Sequence, residues 1–406
     1  MPLPGIVQAL LESDALRAAE RGTASARTLP PACYTDPEWF AFEREAIFFR
    51  EWLCVGRVEQ VSQPGDYFTL TIADEPLIVV RGRDDQVRVL SGVCRHRAMI
   101  LTAPAQVTPE HWTDEPGESS GNTGHAFRCP YHYWTYDLTG QLIGAPDMQR
   151  TEGFDKADIC LPSLAVEIWN GFIFANFDLE AEPLAPRLAE FDAVSANWNV
   201  KGMRATEAAT ARGLRWNWKV MHENFVDFYH SDRLHARIDA ISPSAGLIER
   251  DFGDDDAVII ALAHTTDPDF GFNPTFKALF PVIETLTVEE RSLTLFGIVP
   301  PTFALGFNSD SAFFLIVTPT GPETIDVSVG DLYPESHLEH PLFPELKAMA
   351  DLGVGFFLNQ DFPTNAGVQK GLRSRYAPQG PLSWQENSIN HLNRWAINRY
   401  RRATGD

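Results

Sequence analysis

The sequence is poor in basic residues, since 33 lysines and arginines stand against 55 aspartates and glutamates, a formal net charge of −22. Nucleic acids and anionic membranes both require basic protein surface, so this charge disfavours either as a partner. The sequence contains no run of 18 apolar residues, and it therefore predicts no membrane-spanning helix. The first residues also lack a basic region followed by a long apolar core, so we expect no signal peptide.

Cysteine is equally scarce. The chain has five cysteines, an odd number that does not suit a disulfide framework. We expect Cys33, Cys54 and Cys160 to be reduced and structural, which is typical of a cytoplasmic protein. At 406 residues, with 44% apolar and 22% charged side chains, the chain is long enough for two domains with large cores.

The two remaining cysteines each precede a histidine at short spacing. Cys94 and His96 form a C-x-H pair, and Cys129 and His132 form a C-x-x-H pair. Two thiolates and two imidazoles suit a structural zinc ion or an iron–sulfur cluster. In a Rieske [2Fe–2S] centre, two histidines replace two cysteines on one of the irons, and the donor set matches that pattern.

Strand signals surround both pairs. Residues 66–72 alternate apolar with polar side chains, and residues 76–82 and 86–93 follow, separated by a Gly-Arg-Asp-Asp turn. The pattern continues through both Cys/His pairs to residues 167–178. These short strands predict a small all-β domain, preceded by a helix over residues 37–51.

With the pairs and strands in this order, residues 50–178 resemble the Rieske domain of the ring-hydroxylating oxygenases. The resemblance implies a [2Fe–2S] cluster held by Cys94, His96, Cys129 and His132. One departure is the 32 residues between His96 and Cys129, about twice the usual number. The surplus, residues 103–120, is rich in Pro, Gly, Ser and acids and predicts a surface loop.

Two smaller departures lie in the Cys/His segments themselves. Ala98 and Tyr133 stand at positions where the family usually has glycine. Because both positions adjoin the predicted cluster, these substitutions are expected to alter the packing or the reduction potential around it.

A second group of candidate site residues lies downstream, at His230 and His235, with Asn224 and Asp227 just before them. Ferrous oxygenase sites use two histidines and one carboxylate and leave positions open for O₂ and substrate. Asp227 and His230 would share one face of a helix. His230 and His235 would not, so the helix should end or bend near residues 231–232. Alone, two histidines at this spacing could equally be ordinary surface or core residues.

The resemblance extends over about residues 34–400 and implies the roles of these residues. The family takes its third iron ligand from a C-terminal segment ending in Q-x-G-L, and in the matching segment 356–375 the acid is Asp361. The implied mononuclear iron site is therefore His230, His235 and Asp361. Asp227 would connect this iron to the Rieske histidine of a neighbouring subunit. That role implies a homotrimer, alone or with small β subunits.

The implied fold is α+β, with a small all-β Rieske domain and a helix-grip catalytic domain around a central antiparallel sheet. We expect an N-terminal helical segment at 1–49 that packs on the catalytic domain, the Rieske domain at 50–178 and the catalytic domain at 179–406. Strand signals within residues 291–320 mark the implied wall of the substrate pocket. The candidate pocket residues there are Phe296, Phe303, Leu305, Phe307 and Phe313, with Asn308 as a polar anchor.

The implied function is that of an oxygenase component, which takes electrons from a reductase, directly or through a ferredoxin, and uses O₂ to hydroxylate an aromatic or other small organic substrate. A quaternary ammonium hydroxylase or demethylase of the same family is the alternative, because aromatic walls also attract cations. Two other classes stay open from the sequence: a Rieske electron carrier without oxygenase activity and a zinc-bound structural module.

Overall fold

The computed structural model describes residues 3–103, 119–248 and 258–405. The chain forms two compact units, one made of Arg50–Glu182 and the other of Met1–Phe49 together with Pro183–Asp406. Residues 104–118 of the predicted surface loop lie outside the described residues.

The Arg50–Glu182 unit consists of short antiparallel strands in three small sheets. Strands β1, β10 and β9 form the first sheet, β4, β3, β2 and β5 the second, and β6, β7 and β8 the third. The strands are β1 (Leu53–Arg57), β2 (Asp66–Ile72), β3 (Glu75–Arg81), β4 (Val87–Ser91), β5 (Ser120–Asn122), β6 (Ala126–Arg128), β7 (Thr135–Asp137), β8 (Leu142–Gly144), β9 (Ala165–Trp169) and β10 (Phe172–Asn176).

The core of this unit forms where the apolar faces of the second and third sheets meet. In β2 the apolar side chains Phe68, Leu70 and Ile72 are buried, while Thr71 between them is exposed, as the period of two predicts. Both Cys94 and Cys129 belong to this core. Their buried neighbours are Ile78, Val80, Leu90, Leu101, Phe127, Trp134, Tyr136, Leu138, Leu142 and Leu161.

The second unit places helices against one large antiparallel sheet. Its helices are α1 (Gly5–Leu11), α2 (Asp14–Ala19), α3 (Ala32–Thr35), α4 (Pro37–Glu43), α5 (Leu184–Arg187), α6 (Ala189–Ser195), α7 (Trp218–Val226), α8 (Ser231–Leu234), α9 (Ala236–Asp239), α10 (Glu335–Leu338), α11 (Phe343–Leu372) and α12 (Asn387–Thr404). Its strands are β11 (Met203–Ala205), β12 (Ala209–Leu214), β13 (Leu247–Ile248), β14 (Ile259–His264), β15 (Leu293–Val299), β16 (Phe303–Phe307), β17 (Ala312–Gly321) and β18 (Thr324–Pro334).

The sheet has the order β11-β18-β17-β16-β15-β14-β13, and β12 also pairs with β18. Helix α7 packs on β15 and β17 and is covered by α11 and α12. This arrangement confirms the predicted α+β class with a helix-grip catalytic domain. Within the described ranges, no helix combines the length and the apolar content that crossing a membrane requires.

Helix α4 contacts α7 through a buried charge pair. Helix α4 begins at Pro37, where Asp36 caps it, and after Glu43 it continues as a π-helical turn that ends at Phe48, three residues before the predicted end. Oε1 of Glu43 lies 2.7 Å from Nζ of Lys219, and both side chains are at most 1% exposed. The same oxygen accepts a hydrogen bond from the hydroxyl of Tyr400 at 2.5 Å. Removing either partner would leave an uncompensated charge in the core, so the pair couples α4 to α7.

Candidate functional site

The two Cys/His pairs lie on two turns of the same kind. The backbone N–H of Ala98 donates to the carbonyl of Cys94 at 3.1 Å, and that of Tyr133 donates to the carbonyl of Cys129 at 3.0 Å. Each turn ends in the left-handed region, with φ of 56° at Ala98 and 59° at Tyr133. Glycine adopts this conformation without strain, which explains physically why the family prefers glycine at both positions.

The two cysteines and the two histidines differ in how deeply they are buried. Cys94 and Cys129 are 2% and 1% exposed, whereas His96 is exposed and His132 half-buried. The two imidazole rings lie 4.6 Å apart between centroids, at 72° to each other. The ring of His96 also stacks on Trp134, with centroids 4.8 Å apart. The thiols therefore form an inner pair and the imidazoles an outer pair.

Tyr136 contacts the inner pair and was not identified from the sequence. Its hydroxyl accepts the backbone N–H of Arg95 at 2.9 Å and lies 3.3 Å from Sγ of Cys94. Either atom could donate if Cys94 were a thiol, whereas only the Tyr136 hydroxyl can donate to a Cys94 thiolate. Burial raises the pKa of Tyr136 well above its usual value, so the phenol stays protonated and serves as a donor to a Cys94 thiolate. The sequence offered no signal for this contact beyond an aromatic residue in β7.

These donors fit a two-iron cluster better than a single zinc ion. Tetrahedral zinc would bring all four donor atoms to within about 4 Å of one another. In the described part of the chain, no three of the four come within 4.8 Å of one another. The separation into a thiol pair and an imidazole pair is what a Rieske cluster requires. Burial raises the pKa of the Cys129 thiol, and the backbone N–H groups of its own turn only partly offset that rise.

The second candidate site lies in the helical unit, where His230, His235 and Asp361 converge. Each offers one donor atom, and the three atoms lie within 4.8 Å of one another, the single such group of three in the described ranges. Oδ1 of Asp361 is 3.0 Å from Nε2 of His235 and 3.6 Å from Nε2 of His230. Two imidazoles and one carboxylate at these distances could hold one divalent metal ion.

The chain path that brings the two histidines together differs from the predicted one. Helix α7 ends at Val226, and Asp227 has extended backbone angles, so Asp227 and His230 do not share a helix face as predicted. Oδ1 of Asp227 instead accepts the backbone N–H groups of Tyr229 at 2.7 Å and His230 at 3.3 Å. Such a turn competes with the helix and ends it five residues before residue 231, where the predicted break begins.

Two acceptors orient the imidazoles toward Asp361. Oδ2 of Asp227 lies 3.0 Å from Nδ1 of His230, and Oε1 of Gln360 lies 2.6 Å from Nδ1 of His235. The Gln360 hydrogen bond favours the tautomer of His235 with hydrogen on Nδ1, and the nearby Asp227 carboxylate favours hydrogen on Nδ1 of His230 by charge; both leave Nε2 free to bind a metal. Burial lowers the pKa of His230, but Asp227 and then Asp361 raise it by more, so the net shift is upward. Gln360 was missed from the sequence, although it directly precedes the predicted ligand.

Asn224, a predicted site residue on α7, contacts the carboxylate. Its Nδ2 lies 3.4 Å from Oδ1 of Asp361, and its Oδ1 lies 3.5 Å from Nδ2 of Asn365 on α11. Asp351, an acid ten residues before Asp361 on α11, is exposed and pairs with Lys347 at 2.8 Å, so it does not join the group. The structure therefore brings Asn224, but not Asp351, to the three converging side chains.

The Q-x-G-L segment sets the spacing of α7 and α11. Oε1 of Gln369 accepts the backbone N–H of Asn217 at 2.9 Å, immediately before α7 begins. Oδ1 of Asn217 in turn accepts the N–H of Lys219 and caps the helix. Gln369 is 1% exposed, so this link lies inside the core. The two helices that carry Asn224 and Asp361 are thus tied at one end.

A cavity of about 110 Å³ adjoins the three converging side chains, all of which line it. An apolar cavity of roughly 150 Å³ holds benzene, and this one is somewhat smaller, so it has room for at most a single ring. Its wall is mainly apolar, and six phenylalanines form much of it: Phe225, Phe228, Phe272, Phe296, Phe313 and Phe357. Of the predicted pocket residues, only Phe296 and Phe313 are among those that line it.

The other predicted pocket residues lie elsewhere, for a reason of strand geometry. Phe296 and Phe313 both pair with Gly306, so these three positions face the same side of the sheet. Phe303, Leu305 and Phe307 occupy the alternate positions of β16 and face the opposite side.

The partners of these residues confirm that placement. The ring of Phe307 packs on Trp198, with centroids 5.1 Å apart. Asn308 Oδ1 accepts the backbone N–H of Phe272 at 3.1 Å, so Asn308 supports a loop and does not line the cavity. The prediction that Phe303, Leu305, Phe307 and Asn308 line the pocket is therefore wrong. Alternation along β16 shows from the sequence that Phe303, Leu305 and Phe307 share one face, but only the pairing with β15 and β17 shows which face that is.

Comparison with known families gives two matches. The family of ring hydroxylating alpha subunits, represented by its catalytic domain, matches residues 189–402. The Rieske [2Fe–2S] domain matches residues 51–163. The first match covers the side chains that converge at Asp361, and the second covers both Cys/His pairs.

Similar curated proteins include the carnitine monooxygenase oxygenase subunit of Acinetobacter pittii, 32% identical over 209 residues, which are 51% of this chain and 52% of the relative. The benzene 1,2-dioxygenase subunit alpha of Pseudomonas putida is 33% identical over 213 residues, which are 50% of this chain and 43% of the relative. The chain thus spans about half the length of the curated relatives it matches.

Two solved structures show the same fold. The quaternary ammonium Rieske monooxygenase CntA in complex with gamma-butyrobetaine superposes with a TM-score of 0.73 at 22% identity, covering 95% of this chain and 98% of that one. Naphthalene 1,2-dioxygenase from Rhodococcus sp. bound to indole superposes with a TM-score of 0.74 at 20% identity, covering 98% and 99%. Together with the match over residues 189–402, these findings establish that the chain belongs to the family of ring-hydroxylating alpha subunits, with a Rieske [2Fe–2S] domain before the catalytic domain.

Proposed function

We propose that this chain is the oxygenase component of a Rieske non-haem iron oxygenase, and that it hydroxylates a small organic substrate with O₂ and electrons from a separate reductase, directly or through a ferredoxin. The convergence of His230, His235 and Asp361 beside an apolar cavity carries the proposal. An electron carrier has no need of an open metal site next to a cavity, so this observation favours the oxygenase over the carrier.

In this proposal the three side chains hold one Fe(II) ion through Nε2 of each histidine and a carboxylate oxygen of Asp361. When bound, the [2Fe–2S] cluster supplies single electrons, and the ferrous ion activates O₂ at its open positions. Asp227 and Gln360 keep the Nδ1 hydrogen on each ring and so hold Nε2 toward the metal. Asn224 holds the carboxylate, and the apolar wall excludes water from the reacting groups.

Cys94, His96, Cys129 and His132 hold the cluster in this proposal, with Tyr136 donating to a thiolate. Because His96 is exposed, the imidazole pair is accessible to another protein. We propose that Asp227 connects His230 to a cluster histidine of a neighbouring subunit and that the chain forms a homotrimer, alone or with small β subunits. We further propose residues 1–49 as a helical segment of the catalytic domain, 50–178 as the Rieske domain and 179–406 as the catalytic domain.

The proposed substrate is aromatic, because six phenylalanine rings surround a cavity of single-ring size. The product would be a ring cis-diol or a monohydroxylated carbon. The second candidate substrate is a quaternary ammonium compound, which the same six rings could attract through cation–π contacts. The naming of similar proteins as carnitine and glycine betaine monooxygenase subunits also supports this second candidate.

Substrate-dependent O₂ uptake tests the proposal. The full chain, loaded with iron, is combined with a general reductase and ferredoxin, and aromatic compounds and betaines are compared as substrates. We expect O₂ consumption with stoichiometric hydroxylated product for one of the two classes. Reversible reduction of the cluster without substrate-dependent O₂ consumption for either class would favour the electron carrier.

A further inference from the structure

The cavity wall also contains a pair of hydroxyl groups that does not bond to His230, His235 or Asp361. Ser242, which follows α9, and Thr294, at the start of β15, both line the cavity. Their hydroxyl oxygens lie 2.8 Å apart, and the residues are only 3% and 2% exposed. In the described part of the chain, neither side chain makes a second hydrogen bond.

Hydrogen-bond arithmetic leaves this pair with unused bonding capacity. Each hydroxyl has one donor hydrogen and two acceptor lone pairs. The single bond between Ser242 and Thr294 uses one hydrogen and one lone pair, so one O–H hydrogen and several lone pairs are left over. Buried polar groups nearly always have at least one partner, which each hydroxyl gives the other, so the unused hydrogen and lone pairs are available to a group in the cavity.

Most of the remaining polar lining is committed, and Ser231, at the start of α8, is the other hydroxyl residue that lines the cavity. Asn224 bonds to Asp361 and Asn365, and Asp227 accepts two backbone N–H groups while facing His230. Among the described residues that line the cavity there is no arginine or lysine. Apart from the proposed iron, a substrate carboxylate would therefore find no counter-charge among the described lining residues, which is costly in an apolar site. A substrate hydroxyl or carbonyl would find a partner in the hydroxyl pair.

We propose that Ser242 and Thr294 form the polar anchor of the substrate pocket, and that the substrate is an uncharged, single-ring molecule with one hydroxyl or carbonyl group. The inference rests on the proposed function and narrows its substrate class. The anchor fixes one end of the molecule by a hydrogen bond, while the phenylalanine wall holds the ring beside the metal side chains. Ser242 and Thr294 thus act as specificity-determining residues that contact substrate.

Calorimetric binding to the anaerobic, iron-loaded full chain tests the anchor without turnover. The probes are p-cresol and p-xylene, which differ only by a hydroxyl in place of a methyl group, together with p-toluate and tetramethylammonium. We expect p-cresol to bind about 3- to 10-fold more tightly than p-xylene, as one net hydrogen bond provides. We expect p-toluate and tetramethylammonium to bind more weakly than p-cresol.

The double variant Ser242→Ala, Thr294→Val removes both hydroxyls at nearly constant volume. It should bind p-xylene at least as well as the wild type and lose its preference for p-cresol. Ser195→Ala is the matched control, because its hydroxyl donates to the carbonyl of Phe191 within a helix and it does not line the cavity. The control should keep the wild-type preference.

Three results would overturn the anchor: no binding of p-cresol by the wild type, equal binding of the matched probes, or a preference that survives in the double variant. Tighter binding of p-toluate or tetramethylammonium would also overturn it and would favour a charged substrate. None of these results touches the oxygenase proposal, which is decided by iron content and O₂ uptake.

Discussion

Oε1 of Gln360 lies 2.6 Å from Nδ1 of His235, and the next residue along α11, Asp361, lies 3.0 Å from Nε2 of the same ring. One helical segment therefore contacts both nitrogens of one imidazole. The amide fixes the tautomer, and the carboxylate completes the donor set. This arrangement leads to a first prediction about metal affinity.

Gln360→Leu should weaken iron binding by about 10- to 100-fold, because His235 loses the acceptor that holds its Nδ1 hydrogen. Gln360→Glu retains an acceptor and should bind iron at least as well as the wild type. Competition with a ferrous chelator measures the affinity. Asn359→Leu, on the exposed side of the same helix, is the control and should behave as the wild type. Unchanged iron affinity in Gln360→Leu would show that the contact does not position His235.

Asp227→Asn should leave iron and sulfide content unchanged but lower coupled O₂ uptake by about 10- to 100-fold or more, because the amide is a weaker acceptor for His230 and for a neighbouring subunit. Asparagine can still accept the N–H groups of Tyr229 and His230, so the turn should persist. Asp232→Asn removes a nearby carboxylate that pairs with Arg233 and serves as the control. Turnover at the wild-type rate in Asp227→Asn would exclude the connecting role.

Ala98→Gly and Tyr133→Gly should each stabilise the Rieske unit by about 0.5–1 kcal/mol, because both residues have positive φ, which glycine adopts at less cost. Chemical denaturation followed through the cluster absorbance measures the change. Ala157→Gly, in a right-handed turn of the same unit, is expected to destabilise by a similar amount. If all three glycine variants changed the stability in the same direction, positive φ would not explain the effect at Ala98 and Tyr133.

His222 predicts a pH dependence of stability. It is fully buried, its Nε2 lies 2.8 Å from the carbonyl oxygen of Pro301, and burial lowers its pKa to about 4. Because the unfolded pKa is about 6.5, the unfolded chain takes up a proton first, and the stability from neutral His222 is lost as the pH falls from 6.5 toward 4. Guanidinium unfolding should show a loss from this residue of about 2 kcal/mol between pH 7 and pH 5.

His222→Gln removes this titration while retaining a donor for the carbonyl of Pro301. Its unfolding free energy should therefore fall less steeply between pH 7 and pH 5 than that of the wild type. Parallel curves for the two proteins would mean that His222 is not the group responsible.

Local sequence patterns were sufficient for the strands and for the candidate metal side chains. The alternation of β2 and the spacing of the two Cys/His pairs are properties of a few consecutive residues, and resemblance added Asp361 on a distant helix. The turn at Asp227 was missed because a spacing of three residues suits both a helix face and an Asx turn. The side chain of Asp227 decides between them by bonding to the backbone of the next residues.

Contacts between distant segments were not predictable in this way. Gln360 meets His235 only because α11 crosses the α8 region, and Ser242 meets Thr294 only through the folded sheet, across 52 positions of sequence. Phe307 was assigned to the pocket because it is aromatic, but the side of the sheet it faces depends on the register of β16 against β15. Register follows from pairing, which a single strand does not reveal.

Iron and acid-labile sulfide content test the central claim most directly. Wild-type protein purified without oxygen should contain about three irons and two sulfides per chain, two irons from the cluster and one mononuclear. His230→Ala, His235→Ala and Asp361→Ala should each lower iron to about two while sulfide stays at about two. One zinc without labile sulfide in the wild type, or three irons retained in all three variants, would contradict the account.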